Sequence, residues 1–198
     1  MSQSPPEPAA NPGTAAPDSG RATGSETAGT ALAWRAFDAL TVHELHAILK
    51  LRVDVFVVEQ ACPYAEIDGA DPDAEHLLAT APSAGQPATA APSPDHTGPA
   101  GPLLATLRVF PPSGGAPARI GRVAVAPAAR GTGLGAAVMR AALERIAERH
   151  GAAAVEVSAQ AHLERFYQRL GFARIGPDHT IDGIPHVDMR RPAVTPSA

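Results

Sequence analysis

Apolar residues recur at helical spacing in two long stretches and form short apolar or alternating runs elsewhere, an order that predicts a mixed α/β chain. In the first stretch Leu45, Ile48, Leu49, Val53 and Phe56 share a face, and Thr41-x-x-Glu44 ahead of them is a capping box, so a helix starts there. In the second, Leu134, Val138, Ala142, Leu143, Ile146 and Ala147 fall on one face, with Arg140, Glu144, Arg145, Glu148 and Arg149 on the other. Gly151 follows, where a helix C-terminal glycine belongs. Trp34 to Asp38, His76 to Thr80, Leu103 to Phe110, Arg119 to Val125, Ala154 to Ser158 and Ile184 to Arg190 read as strands. Gln160 to Phe172 reads as a short helix capped by Gly171.

The segments between these elements are of two kinds. Glu59 to Asp73 is irregular and acidic. Residues 1–31 are rich in Pro, Ala, Gly and Ser without periodicity and read as a disordered tail, and residues 193–198 as a second, short one. Residues 81–101 have a similar composition and read as a solvated insertion at a hairpin tip. Such an insertion is cheap, because each doubling of a flexible loop adds only roughly 0.6 kcal/mol of closure entropy. One domain over residues 32–192 remains.

Composition narrows the function. A chain of 198 residues has room for one full core. Its formal net charge is −4 and it has no basic patch, which argues against nucleic acid as a partner. No apolar run is long enough to span a bilayer, and the N-terminus lacks a leader pattern, so no membrane partner is expected. The single cysteine, Cys62, excludes an internal disulfide and fits a cytoplasmic protein; nothing nearby in the sequence activates it. The histidine spacings match no zinc signature, and no metal is expected.

The candidate chemistry lies between the strand ending at Val125 and the second long helix. Pro127 stops the strand, Arg130 follows, and Gly131-Thr132-Gly133-Leu134-Gly135-Ala136 leads into the helix. Glycines at a helix N-terminus let an anion approach unpaired N–H groups and the positive end of the dipole. The loop also fits a loose dinucleotide pattern, with Glu156 near the place of a ribose-binding acid. Against that pattern, Ala126 to Arg130 separate the first glycine from the strand, and too little chain follows for a doubly wound sheet.

Read as Arg130-x-x-Gly133-x-Gly135, the loop resembles the pyrophosphate loop of the GNAT acyltransferases. Gln160-Ala-His-Leu-Glu-Arg-Phe166-Tyr167-Gln-Arg-Leu-Gly171-Phe172 resembles the tail helix of that family. Leu51 to Gln60, Cys62-Pro-Tyr64, Ile67-Asp-Gly69, Ile120-Gly-Arg-Val123, Ala159 to Leu163 and Asp182-Gly-Ile-Pro-His186 are similar to its ElaA-type branch. The resemblance implies a central, mostly antiparallel twisted sheet, flanked by helices and splayed where acetyl-CoA enters. It implies that Val123 and Val125 hold the pantetheine by their backbones. Arg130, Gly131, Thr132, Gly133, Gly135 and Ala136 would hold the pyrophosphate, and Gln160 would stand where an asparagine is usual beside the pantetheine arm. Tyr167 falls where many members place the acid that protonates the leaving thiolate, and its ordinary pKa of roughly 10 keeps it protonated. The implied partner is a small-molecule or peptide amine, and a homodimer is left open.

The general base is less defined. Where some members carry a glutamate on the strand before the loop, this chain has Arg119. Glu59, Asp68, Asp71, His76, His162, His186 and Asp188 remain, with Glu59 placed by the resemblance at the acceptor-binding wall and His186 on the last strand, close to that wall. Two other readings stay open. Arg52-x-x-x-Phe56 with Asp68 and Asp71 is also similar to acyl-homoserine-lactone synthases. A coenzyme A-binding regulator without strong catalysis would keep the loop and need no base.

Overall fold

The computed structural model describes residues 29–82 and 101–193. Its strands are β1 (Ala31–Ala36), β2 (Glu75–Thr80), β3 (Leu103–Phe110), β4 (Ala118–Val125), β5 (Val155–Gln160), β6 (Ala173–Arg174), β7 (His179–Ile181) and β8 (Ile184–Arg191). The helices are α1 (Val42–Arg52), α2 (Leu134–His150) and the short α3 (Glu164–Gln168). The strands form one sheet in the order β1-β2-β3-β4-β5-β8-β6, with β7 also paired to β8. Every pairing is antiparallel except β4 with β5.

Most elements follow the sequence pattern, with shifts at their ends. Thr41 caps α1 as the capping box requires: its hydroxyl accepts from the Glu44 N–H, and the Glu44 carboxylate accepts from the Thr41 N–H. β1 begins at Ala31, ahead of Trp34 and within the segment read as tail, because Ala31 to Ala33 pair with Thr80 to Leu78. β5 runs on to Gln160, so the tail helix starts later than its periodicity suggests and keeps only one α-helical turn after a 3-10 turn at Ala161–Leu163. Beyond Arg52 the first helix widens into a π-helix over Val53–Glu59. Val55 and Phe56 are buried there, while Val58 and Glu59 are exposed. Most of the hairpin-tip segment lies outside the described residues; its flanks meet where the Ala81 N–H donates to the Pro102 carbonyl at 3.0 Å.

Two apolar layers cover the sheet. On one face Leu134, Val138, Ala142 and Ile146 of α2 join Tyr167, Phe172 and the strand residues Val123, Val125, Val157 and Ala159 in one cluster. On the other, Leu51, Val55 and Phe56 cover Ala124. Alternation along β4 separates the two layers.

Charge, however, fixes the middle of the sheet. Arg52, Arg108 and Arg122 are at most 1 % exposed, and each guanidinium meets two carboxylates. Arg52 pairs with Glu66 (2.5 Å) and Asp71 (2.8 Å), Arg108 with Asp71 (2.9 Å) and Asp68 (2.5 Å), and Arg122 with Asp68 (2.9 Å) and Glu66 (3.0 Å). The six groups close into a neutral ring that ties α1, β3 and β4 to the loop between Glu66 and Asp71. Between the pairs Thr106↔Ala124 and Arg108↔Gly121, β4 carries one residue more than β3. Arg122 lies in this bulge with φ of +50°, a left-handed conformation that costs a non-glycine residue about 1–3 kcal/mol. The ring holds it there, and its guanidinium also lies over the Tyr64 ring.

Removing one ring member leaves buried charge without its partner, so Glu66→Gln is expected to lower the unfolding free energy by about 3–5 kcal/mol in urea titrations. Acid should attack the same feature. Burial alone would raise Asp68 and Asp71, but hydrogen bonds and charge from Arg52, Arg108 and Arg122 outweigh it and hold both below the ordinary aspartate value. Unfolded aspartates titrate near about 3.9, so just below that pH the unfolded chain binds more protons. The ring's contribution is then complete above about pH 4 and lost as pH falls through the folded values. Asp68→Asn should flatten that acid limb of a stability-versus-pH curve.

Candidate active site

The bulge sits where β4 leaves β5. The two strands pair only at Ala118↔Val155 and Arg119↔Glu156, and beyond that point no ladder joins them. A wedge therefore opens between the C-terminal halves of β4 and β5, with Val123 and Val125 on one side and Ser158 to Gln160 on the other. The Val125 carbonyl accepts a hydrogen bond from Arg130 Nε at 3.1 Å, which leaves one lone pair of that oxygen for another donor.

The glycine loop rims the wedge. After the 3-10 turn at Pro127–Ala129, Gly131 and Gly133 take φ of +76° and +86°, and α2 begins at Leu134. A Cβ built on either glycine meets nothing within 4 Å, so the space above both backbones is open. The Thr132 hydroxyl is used within the turn: it donates to the Ala129 carbonyl at 2.7 Å and accepts from the Leu134 N–H. The first N–H groups of α2, which include those of Gly135 and Ala136, have no intrahelical partner. Arg130 is not directed at open space, because its guanidinium grips Glu59 through two 2.7 Å hydrogen bonds. The loop's cation and the last residue of the π-helix thus hold each other across the rim.

Tyr167 lies beneath the sheet, fully buried, edge-on to Phe166 and Phe172. Its hydroxyl is buried without a hydrogen-bond partner. Burial pushes its pKa up, so it stays protonated.

The opposite face of the sheet carries polar side chains. Glu156, Ser158 and Gln160 of β5 stand across from Arg190, Asp188 and His186 of β8. Glu156 pairs with Arg190. Arg119, Glu156, Ser158, His179, Ile181 and Asp188 contribute to a cleft of about 280 Å³. A second, tighter pocket lies next to it, around Gln60, Cys62, Tyr64, Gln160 and His186. Gln160 is 3 % exposed and donates to Gln60 at 3.0 Å. His186 is 2 % exposed. Among the described residues, Gln60 Nε2, the Tyr64 hydroxyl and His186 Nε2 are all buried without a partner.

The candidates for a base therefore separate. Asp68 and Asp71 belong to the ring, and His76 is buried behind it with Nε2 at 3.1 Å from the Asp71 carbonyl. Arg52, Asp68 and Asp71, the residues similar to those of a lactone synthase, are bound to ring partners. Glu59 is paired with Arg130. Burial lowers the pKa of His162, which sits in the 3-10 turn after β5. Asp188 is half exposed, 3.8 Å from His179. Cys62 donates to the Asp182 carbonyl, and burial raises its pKa, as an inert thiol requires. Sequence reasoning overlooked Gln60 and Tyr64 at the pocket and Glu66, Arg108 and Arg122 in the ring. The available signal was an arginine within each of the largely apolar runs Leu103 to Phe110 and Ile120 to Val125. Among the described residues no group of three or more His, Cys, Asp and Glu is placed to hold a metal, and no helix is long and apolar enough to cross a membrane.

The arrangement has known counterparts. The family model for the acetyltransferase (GNAT) domain matches residues 112–192, which include the wedge, the loop and β8. Protein ElaA of Escherichia coli K12 is 37% identical over 158 residues, covering 78% of this chain and 92% of its own. The crystal structure of Escherichia coli ElaA superposes with a TM-score of 0.66 at 34% identity, over 82% of this chain and 99% of that one. An acyl-CoA N-acyltransferase from Pseudomonas aeruginosa superposes with a TM-score of 0.69 at 39% identity and the same coverage. A splayed sheet, a glycine-rich helix entry and identity along most of the domain lead to one conclusion: the chain belongs to the GNAT acyltransferase superfamily, in its ElaA-type branch.

Proposed function

We propose that this chain is an N-acetyltransferase that moves an acetyl group from acetyl-CoA to a primary amine of a small-molecule or peptide acceptor. The observation that carries the reading is the wedge between β4 and β5, with a buried, unpartnered Tyr167 hydroxyl in the cluster that lines its strands. A buried hydroxyl without a partner costs stability, which a ligand atom able to accept its hydrogen bond would recover. The open space above Gly131 and Gly133 fits the diphosphate. Gly131, Gly133, Gly135 and Ala136 offer it backbone N–H groups, Thr132 holds the turn in shape, and Arg130 supplies charge once it exchanges Glu59 for phosphate. Val123 and Val125 present backbone groups to the pantetheine, and Gln160 closes that channel from β5.

When bound, acetyl-CoA supplies the thioester carbonyl. The chain's part is to hold amine and donor together and to manage protons. Tyr167 donates to the departing sulfur, a role for which its raised pKa keeps it in the acid form. The reading places the reaction in the cytoplasm, supported by a lone cysteine with no partner within the chain.

Thiol release from acetyl-CoA, assayed with lysine, spermidine, phenylethylamine and an alanyl peptide, tests the reading; no release above the hydrolysis background with any of them would support a binding protein without catalysis. Tyr167→Phe keeps the ring and removes the donor, so turnover should fall on the order of 10²-fold while acetyl-CoA still binds and the thermal midpoint of the free chain is at least the parent's. Gly133→Val should weaken acetyl-CoA binding at least about tenfold, roughly 1.4 kcal/mol, in calorimetry. The positive φ of Gly133 strains any side chain, so affinity is read beside the variant's thermal midpoint. Parent-like affinity would remove the loop from cofactor binding.

A further inference from the structure

We propose that His186 is the general base of the transfer, accepting the amine's proton at Nε2. The assignment rests on the acyl-transfer reading above and goes beyond it by selecting one group from several.

The geometry fixes the tautomer. His186 Nδ1 lies 2.6 Å from the Ile184 carbonyl oxygen, which can only accept, so Nδ1 carries the hydrogen and donates it. Nε2 is left with its lone pair, buried and without a hydrogen-bond partner. An imidazole with one nitrogen anchored and the other bare is oriented to receive a proton. The β7–β8 hairpin, which turns at Asp182 and Gly183, holds the ring against β5, where Gln160 is its cross-strand neighbour.

The surroundings suit a neutral imidazole. Phe56, Ile181 and Ile184 give the pocket apolar walls, and its space of about 10 Å³ is that of a single water, through which Nε2 takes up the amine's proton. Among the described residues, Gln60 Nε2 and the Tyr64 hydroxyl stand beside His186 as further buried polar atoms without partners, able to hold that water. The groups facing His186 are Gln160 from β5, His179 from β7, Asp182 from the turn, Asp188 from β8, and Gln60, Cys62 and Tyr64 from the loop after the π-helix. Burial lowers its pKa and outweighs the opposing hydrogen bond to the Ile184 carbonyl; the neighbouring His179 lowers it further, and Asp188 and Asp182 raise it less. His186 is therefore neutral at physiological pH and ready to act.

The proton balance closes with residues already placed. The amine nitrogen forms the bond to the acyl carbon and yields one proton to His186 Nε2. The carbon–sulfur bond breaks, and the sulfur takes one proton from Tyr167. The products are an amide and a thiol, and solvent returns His186 and Tyr167 to their starting states.

Two measurements test this. First, ¹⁵N NMR of the histidine-labelled chain at neutral pH should show His186 protonated at Nδ1 and bare at Nε2; hydrogen on Nε2 would overturn the assignment whether or not turnover is seen. Second, kcat is followed against pH with acetyl-CoA and the best amine of the panel. The parent should lose rate as pH falls through a value below the ordinary 6.5, because protonation removes the active lone pair. His186→Gln should lower kcat about 100-fold or more, abolish that acid limb and leave the KM for acetyl-CoA near the parent's. A merely structural histidine would change the thermal midpoint and leave the limb in place. A limb that survives in His186→Gln and vanishes in Glu59→Gln would assign the base to Glu59 instead. A parent chain inactive on every amine would overturn the acyl-transfer reading, and this assignment with it.

Discussion

The neutral ring of three guanidiniums and three carboxylates sets the geometry on which the rest of this molecule depends. Taking a charge out of water costs several kcal/mol, and an isolated pair recovers that cost only with excellent geometry. Here each guanidinium, two-pronged and flat, is shared between two carboxylates, and each carboxylate bridges two arginines. The arginines come from α1, β3 and β4, so the ring forms only when all three elements are in register. The irregular acidic loop supplies the other half and is thereby given a fixed path without regular structure of its own.

From that constraint the site follows. The ring holds Arg122 in a left-handed conformation that the strand would otherwise reject. The bulge around it bends β4 away from β5 after two paired residues. An open wedge in mid-sheet is costly, because each strand edge exposes unpaired backbone groups. The same edges are what a linear, amide-bearing pantetheine arm can pair with. The two faces of the sheet differ: a protonated tyrosine lies in the core beneath it, and a ladder of polar side chains above it ends at His186.

Much of this was legible in the sequence, because it depends on local rules. The capping box, the period of α2 and the glycine entry are short-range signals, and the structure shows each of them. The parts that escaped depend on residues far apart in the chain. Arg52, Glu66 and Arg122 meet only after the sheet has formed, so no spacing announces them; an arginine within each of the apolar runs Leu103 to Phe110 and Ile120 to Val125 was the only hint. Strand ends moved where pairing outweighed propensity: Ala31 joined the sheet through Thr80, and Gln160 joined β5 through His186. The tautomer of His186 needed the carbonyl two residues away and, among the described residues, the absence of a partner on its other nitrogen, and neither can be read from one dimension.

The hydrogen bond between Ala81 and Pro102 has a practical consequence. It closes the β2–β3 ladder of the described residues at its open end. That junction lies beside the end of β4, because the carbonyl of Leu104, two residues after Pro102, accepts a 2.8 Å hydrogen bond from the Ala126 N–H just ahead of the glycine loop. A reporter spliced in between residues 82 and 101 would therefore stand at the edge of the wedge, placed to sense what enters it.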